Sequence, residues 1–500
     1  MRRNINVALA SLGLLLGTTG CDSFLTGDKL STDPNNPAVA TIQTLLVGIQ
    51  GGQFAFQEGT VPMMVCMWMQ QCGATNGRFV EQAGRYVFGA GSNIGANGVD
   101  WATIYTGGGL IDMDTIAKMA IATGDSLYLG IDLVWKAFTL GSATDMWGSI
   151  PYAEIRTSPT PALDSQLVLY DTTQRMLSRA IVALQASRDS SLGGIKARAL
   201  PPPPDLIFGA APTPSQRAAL WIAVAHTLKA RYFLHTVEAA ANSKLGARTV
   251  ANVFTDVLAE ATSGISDPTG ASDFRSFHTG IGYTQSNAWF TFQDNSAFGG
   301  DLESGKALVD YMNARSDPRR ADYICQNSAG GYAGDDFNVP QADVSAFDCE
   351  PTRFSPAFRV PFVTYQENQL ILAEANLALG NTAPAQANLQ NAYDAVPLTG
   401  HTASAILPAA LLDSIMMEKY VVMFQNIEAL SDYRRTCIPN LAFVTPNVLS
   451  LTAVPGELFY PQTERNANAN VPSESQEVTN HVRTQSDVTP CTGTGAQAYP

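Results

Sequence analysis

The sequence predicts a mainly α-helical protein: a scaffold of tetratricopeptide-like helix pairs carrying a loop-rich ligand-binding subdomain. Three observations carry that expectation. Apolar residues recur at helical spacing wherever a period can be read. One pair of short helices meets at a Gly-Asn turn with small residues at the crossing. Long stretches rich in Gly, Asn, Gln and aromatic residues separate the periodic ones, and loops of that length in a compact chain are usually functional.

The chain opens with Arg2 and Arg3, an apolar run from Val7 to Leu16, small residues from Gly17 to Gly20, and then Cys21. The run is too short to span a bilayer, so residues 1–20 read as an export signal and Cys21 as an acylated N-terminus that tethers the protein to a membrane. Residues 21–40, with the polar run DSFLTGDKLSTDPNNP, read as the lipidated tether. Residues 41–500 are expected to form one helical domain with long loop insertions.

Within that domain Leu127, Ile131, Val134, Trp135 and Phe138 form one helical stripe, and Trp221, Ala225, Leu228 and Tyr232 repeat the spacing. Between Tyr365 and Val396 lies the helix pair. Leu370, Ala373 and Leu377 line one face, Ile371, Ala375 and Ala378 the next, and Gly380 stops the first helix. The second carries Ala385, Leu389, Ala392, Tyr393 and Val396. One further helix is expected over roughly Leu411 to Tyr433, with Met416, Tyr420, Met423, Phe424 and Ile427 on one side. The aperiodic stretches are Gln70 to Asn97, Ser190 to Pro214, Ser263 to Gly300 and Ser328 to Ser355.

Thirty Lys and Arg against 44 Asp and Glu give a net charge of −14, which repels phosphate backbones and sets nucleic acid aside as a partner. Charged residues make up only 15% of the chain, so Ser, Thr, Asn, Gln and Gly finish the surface and suit neutral, hydroxyl-rich ligands. Acylation of Cys21 leaves six of the seven cysteines in an oxidising setting. Sequence order suggests Cys66 with Cys72, Cys325 with Cys349 and Cys437 with Cys491; other connectivities, and free buried thiols, stay open.

No metal-ligand spacing occurs, the five histidines are scattered, and no cofactor is expected. The run GDLESGK at 300–306 approaches a phosphate loop, but position 307 is Ala where the magnesium ligand belongs. Neither G-x-S-x-G nor H-E-x-x-H is present. Asp112 with Asp114, Asp145 with Glu154, and Asp335 with Asp336 could pair for glycoside hydrolysis, although caps, loops and scaffold account for such residues. Asp335 and Asp336 could also serve calcium.

The order of motifs resembles that of the SusD/RagB-like outer-membrane nutrient-binding lipoproteins across nearly the whole mature chain. The matching residues are Asp33-Pro34-Asn35-Asn36, then Trp101 with Tyr105, then Asp145-Met-Trp147-Gly148-Ser-Ile-Pro151-Tyr152. Lys229-Ala-Arg231-Tyr232, Asp317-Pro318-Arg319, Thr364-Tyr365, Asp432-Tyr-Arg434-Arg435 and Tyr460-Pro461-x-x-Glu464-x-Asn466 follow. The resemblance implies four tetratricopeptide-like helix pairs and no catalysis. It also implies a SusC-like TonB-dependent transporter barrel as partner, with capture of oligosaccharides or peptides at the outer-membrane surface.

Sugar rings stack their C–H faces on aromatic side chains and pair their hydroxyls with amide, carboxylate and guanidinium groups. Two segments offer that mixture. The first holds Trp68, Gln71, Asn76, Arg78, Phe79 and Tyr86; the second holds His278, Tyr283, Gln285, Asn287, Trp289, Phe290 and Asp294. Trp101, Trp135, Trp147 and Trp221 are expected in the core. The leading expectation is a non-enzymatic lipid-anchored binding protein on the cell surface. An extracellular helical glycosidase and a ligand-free helical scaffold are the alternatives.

Overall fold

Helices dominate the computed structural model, which describes residues 40–491 apart from 76, 81–82, 87–98, 189–202, 295–299, 348–352, 397, 399, 448–450 and 481–482. The export signal, Cys21 and most of the tether lie outside the described residues. The principal helices in chain order are α1 (Ile42–Glu58), α2 (Thr60–Trp68), α3 (Val99–Tyr105), α4 (Leu110–Thr123), α5 (Ser126–Trp147), α6 (Gln166–Arg188) and α7 (Pro214–Leu234). Then come α8 (Val250–Thr262), α9 (Ala288–Asp294), α10 (Tyr365–Ala378), α11 (Thr382–Asp394), α12 (Pro408–Val422) and α13 (Glu428–Thr436).

The hub is α5. Asp125 caps it by accepting from the Leu127 and Tyr128 amides, and nearly every residue along it is buried. It packs on α4 and α6; α6 packs on α7, α7 on α8, α8 on α10, and α10 on α11 and α12. Capping boxes at Thr213/Gln216 and Thr249/Asn252 fix where α7 and α8 begin. The turn between α10 and α11 holds Gly380 at φ +80°, a left-handed conformation that glycine enters without a Cβ clash.

Both stripes read from the sequence are core: Leu127, Ile131, Val134, Trp135 and Phe138, and Trp221, Ala225, Leu228 and Tyr232, are all at most 1% exposed. The two apolar faces of α10 serve different cores. Leu370 and Ala373 join the main one. Ile371 and Ala375 join a second, formed with Val253, Phe254 and Val257 of α8 and the end of α7.

The helix expected over Leu411 to Tyr433 is two. The chain leaves α12 after Val422, Gln425 adopts φ +70°, and Asn426 Nδ2 donates to the Pro361 and Phe362 carbonyls before α13 begins. Periodic apolar residues continue through the break, which is why the pattern alone reads as one helix.

Three short antiparallel pairs stitch the loops. β1 (Cys72–Ala74) pairs with β5 (Leu302–Ser304), β2 (Ile150–Pro151) with β3 (Leu163–Asp164), and β4 (Phe274–Arg275) with β6 (Pro361–Val363). Disulfides join Cys66 to Cys72 and Cys437 to Cys491. Cys325 is also disulfide-bonded, while Cys349 lies outside the described residues.

The described motif residues are structural, and several are buried charges that neutralise one another. Arg231 grips Glu367 through two 2.6 Å hydrogen bonds, Arg435 bonds Glu374 and Asp432, and Arg319 bonds Asp317 and Glu418. Such pairing offsets the cost of taking the charges out of water. The Trp147 indole donates to the Phe459 carbonyl at 3.1 Å and the Trp101 indole to Glu464 at 3.0 Å, so the C-terminal motif closes on α3 and α5.

Candidate ligand-binding site

A cavity of ≈ 870 Å³ opens between α1, the start of α2, the segment from Phe277 to Ser286, and α9. That volume lies in the range of small-molecule sites. Its α1 wall is a single helical face, Val47, Gly51, Phe54, Ala55 and Glu58, spaced by three and four residues. Phe54, Met63 and Phe79 form a buried apolar floor, while Phe277 and Tyr283, 39% and 51% exposed, stand at the opening.

The loop from Phe277 to Ser286 takes its shape from its own sequence. Gly280 and Gly282 sit at φ +70° and +67°, and the Thr279 and Gly280 amides both donate to the Gln285 carbonyl at 3.2 Å. Thr279 Oγ1 donates to Gln285 Oε1 at 2.6 Å. Tyr283 donates its hydroxyl to Asp294 at 2.7 Å, and this bond raises the phenol pKa above its ordinary value. The half-exposed ring is thereby held at the rim.

At the inner end His278 Nε2 lies 3.0 Å from Glu58 Oε1, and the Ala288 amide donates to Glu58 Oε2 at 3.5 Å. Among the described residues, Glu58 is the single carboxylate of the lining. Rings that accept a sugar face, with a carboxylate, an imidazole and hydroxyls between them, suit non-covalent binding of a ring-shaped, hydroxyl-bearing ligand.

Of the residues singled out in the sequence, Phe79, Tyr283, His278 and Gln285 line this cavity. Phe290 is partly buried on α9 and is not among the lining residues. The others belong to the architecture. Trp68 and Trp289 have no exposed surface, so neither ring can stack on a ligand in this conformation. The Trp68 indole donates to the Ala83 carbonyl at 3.1 Å, and Trp289 packs against Phe354 and Phe424. Asn287 caps α9, accepting from the Trp289 and Phe290 amides and donating to the Phe358 carbonyl. Gln71 donates to the Tyr420 carbonyl and Tyr86 accepts from the Val444 amide, both in the interior. Asn76 and the Arg78 side chain lie outside what is described.

The paired carboxylates are also occupied. Asp112 accepts from the Gly108 amide and Glu154 from the Ala162 amide. Burial works against the charge on Asp114, yet Lys136 and Arg156 hold its pKa below the usual carboxylate value. Asp336 accepts from the Asn338 amide, and burial raises the Asp335 carboxyl.

Asp145, His235 and Glu428 come together in a buried group whose potential ligand atoms lie within 4.8 Å of one another. His235 Nδ1 is 2.8 Å from Asp145 and Nε2 is 3.0 Å from Glu428. Burial alone would lower this imidazole's pKa, but the two carboxylates raise it to about 10. The imidazolium therefore supplies the positive charge a metal would bring, and the group reads as an ion-paired joint of α5, α7 and α13.

Sequence reasoning missed α1 as a wall. The signal was present in Gly51: a glycine inside a helix costs about 1 kcal/mol relative to Ala, and a Cβ at that position would meet nothing within 4 Å. The helix leaves that face bare where the cavity lies.

A family model described as starch-binding and associating with the outer membrane matches residues 34–461. No curated protein matches the chain closely enough to count as a relative. Among solved structures, a chitin-binding SusD homologue from Flavobacterium johnsoniae aligns with a TM-score of 0.68 and 17% identity, covering 89% of this chain and 98% of that one. A SusD homologue from Bacteroides vulgatus gives 0.68 and 17%, covering 90% and 98%. A SusD-like protein from Bacteroides thetaiotaomicron gives 0.65 and 16%, covering 92% and 98%.

Proposed function

The chain belongs to the SusD-like family, described as starch-binding and associating with the outer membrane, and from that premise we propose that it captures oligosaccharides in the cavity beneath Tyr283. The observation that carries this reading is the cavity itself, with aromatic rings at its opening and the Glu58–His278 pair within. The reading is of binding and not cleavage, because hydrolysis of a glycosidic bond commonly needs two facing carboxylates and the lining has one. The chitin-binding relative from Flavobacterium johnsoniae supports a glycan over a peptide ligand.

The same proposal covers the rest of the chain. Residues 1–20 direct export, Cys21 carries the lipid, 21–40 form the tether, and 41–500 form the helical body. The protein sits on the cell surface and passes its cargo to a SusC-like TonB-dependent barrel. No helix among the described residues is long and apolar enough to cross a membrane.

The test is calorimetric titration of the full chain with starch and chitin oligosaccharides, alongside an assay for shortened products. Saturable binding to at least one glycan is expected, weakened about tenfold by Tyr283→Ala, which corresponds to about 1.4 kcal/mol of binding free energy, and with the glycan intact. Cleavage of the glycan, or binding that Tyr283→Ala leaves untouched, overturns the assignment.

A further inference from the structure

A second cleft, of ≈ 330 Å³, lies beside the β4–β6 pair and is lined by Arg275, Arg319, Tyr323, Arg353 and Phe358, with Asp322 as the single carboxylate among the described lining residues. Three guanidinium groups at one cleft are unexpected in a chain of net charge −14. Two of them are neutralised: Arg275 by Asp273, and Arg319 by Asp317 and Glu418.

Arg353 is different. It donates to the Phe424 carbonyl at 3.2 Å, to Gln425 Oε1 at 3.1 Å and to the Tyr323 hydroxyl at 3.0 Å, all neutral acceptors. Its guanidinium stands 4.1 Å from the centre of the Tyr323 ring. No carboxylate among the described residues bonds to it; Asp348 and Glu350 lie outside them. These three bonds to neutral acceptors occupy part of the five-donor guanidinium and leave its positive charge in place. Burial above all holds this guanidinium below its ordinary pKa; Tyr323 works against that shift, and the neighbouring Arg275 and Arg319 add to it.

We propose that this cleft is an oxyanion-binding site that takes the carboxylate or sulfate of an acidic sugar unit, with Arg353 and Arg275 as donors and the Phe358 and Tyr323 rings flanking the ligand. A charge-assisted bond from guanidinium to oxyanion is shorter and about twice as strong as a neutral one, and a planar fork suits both groups. The volume is at the lower end of the roughly 300–1,000 Å³ of small-molecule sites, more than a bare inorganic anion fills. Arg275 lies two residues before Phe277, so the strand that supplies this cleft leads directly into the loop of the larger cavity.

The site does not require the larger cavity to bind anything, and the experiment keeps the two apart. The full chain is titrated calorimetrically with galacturonate, galactose and sodium sulfate at constant ionic strength, and again as Arg275→Gln, Arg353→Gln and Tyr283→Ala. Galacturonate is expected to saturate the protein and galactose not to. Arg275→Gln, at a side chain one-third exposed, is expected to weaken binding about tenfold; because it also unpairs the buried Asp273, its melting temperature is expected to fall, and binding is compared below that transition. Tyr283→Ala leaves binding as it was. Displacement of galacturonate by sulfate identifies the shared oxyanion chemistry, and binding of galacturonate without displacement assigns the sugar carboxylate. Equal binding of galactose, no binding of either anion tighter than about 10 mM, or indifference to both arginine substitutions overturns the proposal.

Discussion

Gly51 separates ligand binding from folding at one position. The residue is exposed on the cavity face of α1, and a Cβ there meets no heavy atom within 4 Å. Gly51→Ala therefore adds no clash and recovers helix propensity, about 1 kcal/mol of stability, while taking only a methyl group from ≈ 870 Å³. Gly51→Phe projects a ring into the same space. Helix propensity still improves, by a few tenths of a kcal/mol, but the ring occupies the volume between Phe54 and the Phe277–Ser286 loop. Glycan affinity should then fall at least about tenfold. All six tryptophans are buried, so fluorescence-monitored denaturation reads global unfolding, and calorimetry on the same samples reads binding. Full-affinity binding by Gly51→Phe would refute the assignment of this cavity as the glycan site. A destabilised Gly51→Ala would refute the claim that the glycine is there to leave space.

Three further outcomes follow from the geometry. Trp289→Ala should cost about 3–5 kcal/mol, as truncation of a fully buried ring does, whereas Tyr283→Ala should leave the denaturation midpoint in place and lower glycan affinity; the reverse pattern would return Trp289 to the ligand. The folded pKa of His235 is raised from 6.5 to about 10, so its contribution is complete below pH about 6.5 and is lost as the pH rises through about 10. The stability difference between the native chain and His235→Gln should shrink over that window by up to about 1.4 kcal/mol per pH unit, and a flat difference in urea denaturation contradicts the ion-paired joint. Removing Cys437–Cys491, with a sequence separation of 54, should cost about 4 kcal/mol, and removing Cys66–Cys72, with a separation of 6, about 2 kcal/mol; equal losses in denaturation would show that loop length does not set the effect.

The scaffold was legible because helical stripes and buried charges leave local marks. Spacing alone identified the buried faces of α5 and α7, and the motif residues turned out to be the ion pairs and indole hydrogen bonds that fasten those helices. The site was only half legible. The sequence marks the segment from His278 to Asp294 as mixed aromatic and amide, and His278, Tyr283 and Gln285 line the cavity, but composition cannot say which ring faces inward. Trp289, Asn287 and Tyr283 lie within seven residues and serve as core, cap and rim. Trp68 was misleading for the same reason, since large aromatic rings supply both core packing and sugar stacking. The α1 wall carried no mark beyond Gly51, because the loop that faces it lies far along the chain, as the Glu58 to His278 separation of 220 illustrates.

The clasp between the C-terminal motif and the tryptophans of α3 and α5 has a temporal consequence. Trp101 meets its acceptor 363 positions downstream and Trp147 meets its own 312 downstream. Until the last tenth of the polypeptide arrives, both indoles lack their acceptors and the face of the hub beneath them stays uncovered. Native closure is therefore a late event in the life of the nascent chain. That delay suits the export proposed above, in which the chain crosses a membrane before it folds.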